Sequence, residues 1–366
     1  MKFGLFNLMT YRDNPGGLPG LLSDMRSLVG LAEEIGFETA WFAEHHFTNY
    51  SISVSPLMFA AHMAGTTSRI KLGAAVVVLP LYHPMRVAQE IALVDQMSGG
   101  RFVLGVGTGY QAYEFERFGM NVAEKNEIFF EYWSVLEQIL TEGHAKFSGR
   151  YVTVPESVVL LRTLKAAMPD LYVTSMDPGI LSRLARHNAT PFLTAGFRGT
   201  PALLDMVAGA RTRWSEAGLG ADMPVAVQQY IHVTDSPQEA LEAAERARYV
   251  GRLVAAFRSP HVVLDGAFAE AKPVPGEPSL ETIRDNLLIG DPHHVAERLV
   301  DEIRRIGPVH YNAFFQFGDM PIARARRSLE RFGAEVLPLV ERALGPLDLI
   351  GKPMDGLPAA VRAAAV

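Results

Sequence analysis

Apolar residues recur along this 366-residue chain in two alternating rhythms, short unbroken runs and longer stretches in which they return every three or four positions. Residues 70–111 hold one complete example. Positions 70–79 form a continuous β-branched run of the kind expected of a parallel strand covered on both faces. Pro84 suits the first turn of a helix, and Val87, Ile91, Val94 and Met97 keep helical spacing up to the pair Gly99-Gly100. Residues 101–106 are a second apolar strand. It ends in Gly105, Gly107 and Gly109, where the backbone must turn or come close to something, which makes that end the first candidate ligand site.

The same unit repeats along the chain. Strands are expected at 2–8, 39–43, 171–175, 191–195, 224–233 and 311–317, with helices at 20–36, 56–64, 122–142, 180–187, 201–218, 238–257, 291–306 and 322–344. About eight alternations without a break in composition predict an α/β chain folded as a (β/α)8 TIM barrel rather than an open doubly wound sheet. The Gly105-x-Gly107-x-Gly109 run weighs little for the open sheet. It lacks the third glycine of the dinucleotide fingerprint and lies on the fourth strand instead of the first. One domain is expected over 1–345, with 149–165 an irregular excursion and 346–366 a loosely held tail. Residues 258–290 interrupt the rhythm after strand 7, and the proline-rich stretch 271–278 is not regular structure, so a mobile lid is expected there. Helix 56–64 is apolar almost all round, which predicts that a second subunit covers its outer side.

Composition narrows the class. With 48% hydrophobic and 20% charged residues the chain can bury a large core. A net charge of −6 without long basic runs leaves no footprint for nucleic acid or a membrane surface. The absence of cysteine excludes disulfides, thiolate catalysis and Cys-ligated zinc. The N-terminus enters a strand without an apolar targeting region, and no stretch is long enough to span a bilayer, so a soluble cytoplasmic protein is expected.

In a barrel, chemistry gathers at the carboxyl ends of the strands. The candidates there are Glu44-His45-His46, residues 75–80, Gly107-Thr108-Gly109-Tyr110, Ser175-Met176-Asp177, Gln228 with Tyr230, and Gln316-Phe317-Gly318. His45 suits a general base, a proton donor or a hydrogen-bond partner of a cofactor ring. His46 points the opposite way along an extended chain and, like His83, reads as structural. No metal is expected, because His45 and His46 diverge and His293-His294 lack a companion acid at ligand spacing. The helix after Asp177-Pro178 offers backbone N–H groups that suit a phosphate, and equally suits an ordinary capped turn.

The segments MKFGLF at the start, GFETAWFAEHHFT at 36–48, LGAAVVVLPLYHPMRVAQEIALVDQMSGGRF at 72–102, LIGDPHHV at 288–295, and FQFGDMP with RSLERFGAEVLP at 315–338 resemble the bacterial luciferase-like flavin monooxygenases, the luciferase α-subunit type in particular. The resemblance implies a barrel that uses reduced FMN and dioxygen through a flavin 4a-peroxide, often as a dimer, with a separate reductase supplying the flavin. It implies that His45 is catalytic beside the isoalloxazine and that Ala75-Val76 is a non-proline cis peptide behind the ring. The FMN phosphate would lie at Ser175, Met176 and Asp177. Three positions depart from the family. Thr108 stands where an Arg is usual, Asp177 where a Ser is usual, and Gly107 where luciferases carry a reactive cysteine. Gly107 is expected to leave more room over the ring, and Lys125 to compensate for the lost Arg. Tyr110, Gln228 and Tyr230 are assigned to the substrate pocket. Gln228 and Tyr230 occupy the strand where sulfonate-oxidising relatives have Arg and His, so an uncharged, largely apolar substrate is expected. Two alternatives stay open: a deazaflavin-dependent oxidoreductase of the same superfamily, and a non-catalytic flavin-binding relative.

Overall fold

The computed structural model describes residues 1–259 and 261–350. Eight parallel strands form its centre: β1 (Lys2–Asn7), β2 (Thr39–Phe42), β3 (Lys71–Ala74), β4 (Phe102–Gly107), β5 (Asp170–Val173), β6 (Thr190–Thr194), β7 (Ala226–Val233) and β8 (His310–Phe314). Each pairs with the next, and β8 returns to β1 with His310 opposite Lys2 and Asn312 opposite Gly4. The ring therefore closes, and the helices between strands cover its outside, as in a (β/α)8 barrel.

Every residue of β2, β4, β7 and β8 is buried; β4 accordingly reads as an unbroken apolar run, whereas β7 and β8 also bury Gln228, Gln229, His232, His310 and Asn312. Alternate side chains point into the barrel. Trp41, Val103, Phe192 and Ala226 pack there as a small inner cluster with Tyr172, separate from the larger shell between strands and helices. His310 lies in the same layer, its Nδ1 3.0 Å from the Tyr172 hydroxyl. Complete burial pushes the His310 imidazole down to about 3.

The structure departs from the sequence expectation in four places. The run 70–79 is not one strand. β3 stops at Ala74, the Ala75–Val76 peptide is cis, Val77–Val78 pair separately with Val106 and Gly107 of β4, and Leu79–Leu81 form a 3₁₀ turn. The residues after Val76 stay buried on either path, so their apolarity does not reveal the bend. The excursion at 149–165 begins as the turn and return arm of an antiparallel hairpin, His144–Ser148 with Thr153–Val158. The Glu131 carboxylate builds its turn by accepting the backbone N–H groups of Arg150, Tyr151 and Val152 at 2.7, 2.8 and 3.1 Å. A short helix, Ala112–Arg117, follows β4 unforeseen. Within 258–290 the chain forms a two-residue hairpin (Leu264–Asp265 with Phe268–Ala269), a helix Leu280–Asn286, and a strand Leu288–Gly290 beside the end of β7.

The closing helix is continuous but passes through a π turn at Phe332–Val336, between Ile322–Arg331 and Leu337–Leu344. Most of the expected C-terminal tail, from 351 onward, lies outside the described residues. Among the described residues no helix is long and apolar enough to cross a membrane. Helix Pro56–Ala64 buries Leu57, Ala60 and Met63 but leaves Met58 72% exposed. The adjoining helix Pro84–Met97 exposes Leu93 and Met97.

Candidate active site

The carboxyl ends of β2 and β4 bring together residues far apart in sequence. After β2 the chain runs outward through Glu44, His45 and His46. After β4, Gln111 leads into helix Ala112–Arg117, which carries Glu114 back toward them. His45 Nδ1 lies 3.2 Å from Glu114 Oε1, and the same oxygen accepts the His46 backbone N–H at 2.7 Å. A carboxylate contact requires the proton on Nδ1, which leaves His45 Nε2 as the free nitrogen, without a partner among the described residues. The Gln111 side-chain amide is 3.1 Å from the same Nδ1 and 3.2 Å from the Tyr110 hydroxyl. It is the amide nitrogen, Nε2, that faces Nδ1 and donates to the Tyr110 hydroxyl, and the buried Oε1 has no partner among the described residues.

Two phenols flank this imidazole and a third, Tyr230, lies at the same end of the barrel. The Tyr50 ring centroid is 4.5 Å from that of His45 and the Tyr110 centroid 5.8 Å, and the two hydroxyls are 3.5 Å apart. Tyr230, on the inner face of β7, packs 4.9 Å from both Phe314 and Phe317. Burial raises all three phenols above their ordinary range, so they remain protonated donors at neutral pH. The wall they line is otherwise aromatic, with Phe6 5.3 Å from Phe314. Gln228 sits one layer deeper, where its Oε1 accepts from the Thr194 hydroxyl at 2.5 Å and its buried Nε2 has no partner among the described residues.

Beneath this mouth lies the bend at Ala75–Val76, and glycines permit it. A Cβ at Gly105 would collide with the Ala74 carbonyl oxygen, and one at Gly107 would lie 2.7 Å from Val76 Cγ2 and 2.8 Å from Thr174 Oγ1. The expectation that Gly107 leaves room is therefore corrected, because neighbouring side chains already fill that space. Glu44 holds the bend from the other side. Its Oε2 accepts the Val78 N–H at 3.2 Å and the Tyr82 hydroxyl at 2.8 Å, and its Oε1 faces His46 Nε2 at 3.1 Å. Burial raises the Glu44 carboxyl, while His46 and Tyr82 pull it back down. His46 is thus placed between two buried acids, which agrees with its structural reading.

The expected phosphate end is built differently. Asp177 caps helix Pro178–Ala185, with its Oδ1 accepting the Ile180 N–H at 3.0 Å and its Oδ2 accepting from Asn126 Nδ2 at 3.3 Å. The Asp177 N–H donates to Ser175 Oγ at 3.3 Å. Lys125 starts the neighbouring helix Lys125–Glu142, half-buried, and pairs with no acid among the described residues. The Thr108 hydroxyl reaches only the next carbonyl, Gly109 O, at 3.4 Å. The mouth above the bend presents a free imidazole nitrogen and phenol donors, a donor set that suits the polar edge of a flavin ring. A 5′-phosphate does not fit the tail end, where a carboxylate already occupies the helix start.

The segment 258–290 folds over this face. Asn49, four residues beyond His45, donates its backbone N–H to Ala267 O and accepts the Ala269 N–H on Oδ1, both at 2.9 Å. Its Nδ2 reaches the Tyr249 hydroxyl at 2.8 Å. Arg252 and Glu277 form a two-bond ion pair at 2.8 and 2.5 Å that ties 271–278 to helix Pro237–Arg258. Glu114, Gln111, Tyr50, Asn49 and Asn126 were not singled out from sequence. Among the described residues no group of acids, histidines and cysteines could hold a metal ion.

A sequence profile of the luciferase-like monooxygenase family matches residues 1–310. The chain is 35% identical to the y4vJ protein of Sinorhizobium fredii over 94% of its own length and 99% of that protein. It is 25% identical to the oxygenase component of the flavin-dependent trigonelline monooxygenase of Acinetobacter baylyi, over 92% of this chain and 95% of the relative. Its fold matches that of the oxygenating constituent of 3,6-diketocamphane monooxygenase from Pseudomonas putida, solved with FMN, with a TM-score of 0.73. That match has 21% identity and covers 93% of this chain and 98% of the other. The closed barrel, the profile match and the full-length relative agree, and the chain belongs to the luciferase-like monooxygenase family.

Proposed function

We propose that this chain is the oxygenase of a two-component flavin system that inserts one oxygen atom into an uncharged, largely apolar substrate. Bound reduced flavin would supply the two electrons that let one atom of dioxygen enter the substrate while the other leaves as water. A separate reductase in the same cytoplasmic compartment delivers the flavin. The observation that carries this reading is the His45–Glu114 pair at the mouth, directly above the bend between β3 and β4.

His45 is assigned the catalytic role. Glu114 fixes its tautomer, and the free Nε2 holds or moves a proton at the reacting centre. Tyr50, Tyr110 and Tyr230 orient a neutral acceptor group of the substrate such as a carbonyl, and the aromatic wall favours an apolar body around it. Among the described residues Gln228 and Tyr230 contact no Lys or Arg, and the nearest cation of the pocket is Arg258, 5.7 Å from the Tyr110 ring; the β7 side of the pocket therefore favours an uncharged group. Residues 258–290, held by Asn49 and Arg252, act as a lid that excludes water once substrate is bound. The exposed Met58, Leu93 and Met97 are covered by a second copy in a dimer.

The test uses isotopically labelled dioxygen, a flavin reductase and a panel of ketones, aldehydes and aromatic compounds. A product that carries one labelled atom only when reduced flavin is supplied supports the reading. Consumption of oxygen with peroxide as the sole product across the panel counts against it.

A further inference from the structure

The flavin reading above leaves one disagreement inside the site, and it lies at the tail of the cofactor. A helix start binds a phosphate through several unpaired backbone N–H groups and a local excess of positive charge. Helix Pro178–Ala185 offers little of either. Pro178 has no N–H. The Ile180 N–H is taken by the Asp177 carboxylate and the Asp177 N–H by Ser175. The Gly179 N–H remains, and the Phe130 ring lies over that residue, with Cζ 3.1 Å from where a Cβ would be.

The charges point the same way. Arg183, the basic residue of this helix, is bound together with His187 to Glu137 at the far end. Among the described residues Asp177 forms no ion pair; Lys125, next to Asn126, is the one nearby cation left without an acid and does not pair with Asp177, and the Thr108 hydroxyl reaches the Gly109 carbonyl. A phosphate monoester placed here would meet a carboxylate held rigidly by two hydrogen bonds. The same carboxylate, beside the Asn126 amide, is a good partner for a hydroxyl, which can donate to it.

We infer that Asp177 is a cofactor-specificity residue, and that this chain takes a flavin whose tail ends in a free 5′-hydroxyl in preference to the 5′-phosphate. This rests on the flavin reading of the mouth. It assigns Asp177 Oδ1 and Oδ2 as acceptors of the tail hydroxyl and as the source of repulsion against a phosphate dianion.

The experiment is anaerobic titration of the full-length protein with reduced riboflavin and with reduced FMN, at low and at high salt. It is run on the native chain and on the variants Asp177→Asn and Asp177→Ser. Both substitutions keep a side chain that can cap the helix, so the fold is retained, and circular dichroism checks this. The native chain is expected to bind riboflavin at least as tightly as FMN. Asp177→Asn is expected to tighten FMN by about tenfold, or about 1.4 kcal/mol, and to leave riboflavin within about twofold. The gain should be smaller at high salt, since it comes from removing a charge repulsion. Native FMN binding clearly tighter than riboflavin, unaltered by either substitution, overturns the inference while leaving the flavin reading intact. Failure of both flavins to bind overturns the reading and the inference together.

Discussion

Around His45 the buried acids are turned inward on groups that could meet a ligand, whereas at Asp177 the acid is turned on the helix that ought to receive one. Glu114 accepts from His46 N–H and lies within hydrogen-bond distance of His45 Nδ1. Glu44 braces the bend through Val78 and Tyr82. Each of those contacts orients another side chain or the backbone beneath the ring. At the tail end the carboxylate satisfies the Ile180 N–H and the Asn126 amide, so the helix start is complete without a ligand. The two ends of the site therefore differ in kind: at the mouth the acids orient groups that face open space, and at the tail the acid closes the helix start on itself.

The most severe way to break that comparison is to remove the imidazole. His45→Ala should lower product formation by about 10²-fold or more, the usual size of a general acid–base contribution, with reduced-flavin affinity little changed. Equal losses in affinity and turnover would move His45 from chemistry to binding. Substitution beneath the ring comes next. Gly107→Ala puts a methyl against Val76 and Thr174, so it should destabilise the fold by about 1–3 kcal/mol and displace the bend. Gly30→Ala, within helix Gly17–Ile35 and with nothing near its Cβ, is the control and should be neutral or slightly stabilising. Thermal unfolding of the two variants side by side decides it.

Glu114→Gln replaces a charged acceptor by a neutral one. A charge-assisted hydrogen bond is worth about 1.5–3 kcal/mol, so turnover should fall roughly tenfold, with the fold and KM nearly unchanged. A change confined to KM would show that the pair positions substrate and not His45.

The smallest effect at neutral pH belongs to the barrel base, below both ends. The His310 imidazole is held down by burial to about 3, against an ordinary 6.5. Between those values the unfolded chain binds a proton that the folded chain refuses, so stability should fall as pH drops from 6.5 toward 3. His310→Asn should flatten this acid limb in urea unfolding midpoints, without altering flavin preference at pH 7. An unchanged limb would mean that another group governs acid stability.

How much of this was legible in sequence follows from what each feature depends on. Strands buried on both faces announce themselves as apolar runs, and helices capped by Ser55, Ser236 and Asp291 announce their starts, so the barrel could be read. The bend after Ala74 stayed hidden from pattern alone, because the residues on either side are buried whichever way the peptide turns; the family resemblance supplied it. The hairpin at 144–158 depends on one acid, Glu131, reaching three backbone N–H groups from a neighbouring helix. Spacing does not encode that reach. Glu114 meets His45 only after two strands and two helices have folded between them, and its own short helix gave too few residues for a period to show. Asp177 is the opposite case. Asp-Pro before an apolar helix is a local signal, so the cap was visible, and the departures at Thr108 and Asp177 were read with it; that the Ile180 and Asp177 N–H groups are taken up inside the turn was not.

The central claim is that the mouth above the bend holds a reduced flavin and controls its reaction with oxygen. The most direct test mixes the anaerobic protein, loaded with reduced flavin, with oxygenated buffer in a stopped-flow spectrometer, without substrate. The account predicts that the visible band of oxidised flavin returns more slowly than for free flavin, after a distinct near-ultraviolet phase that His45→Ala shortens. Return of that band in one step, at the rate of free flavin and unaffected by His45→Ala, would contradict it.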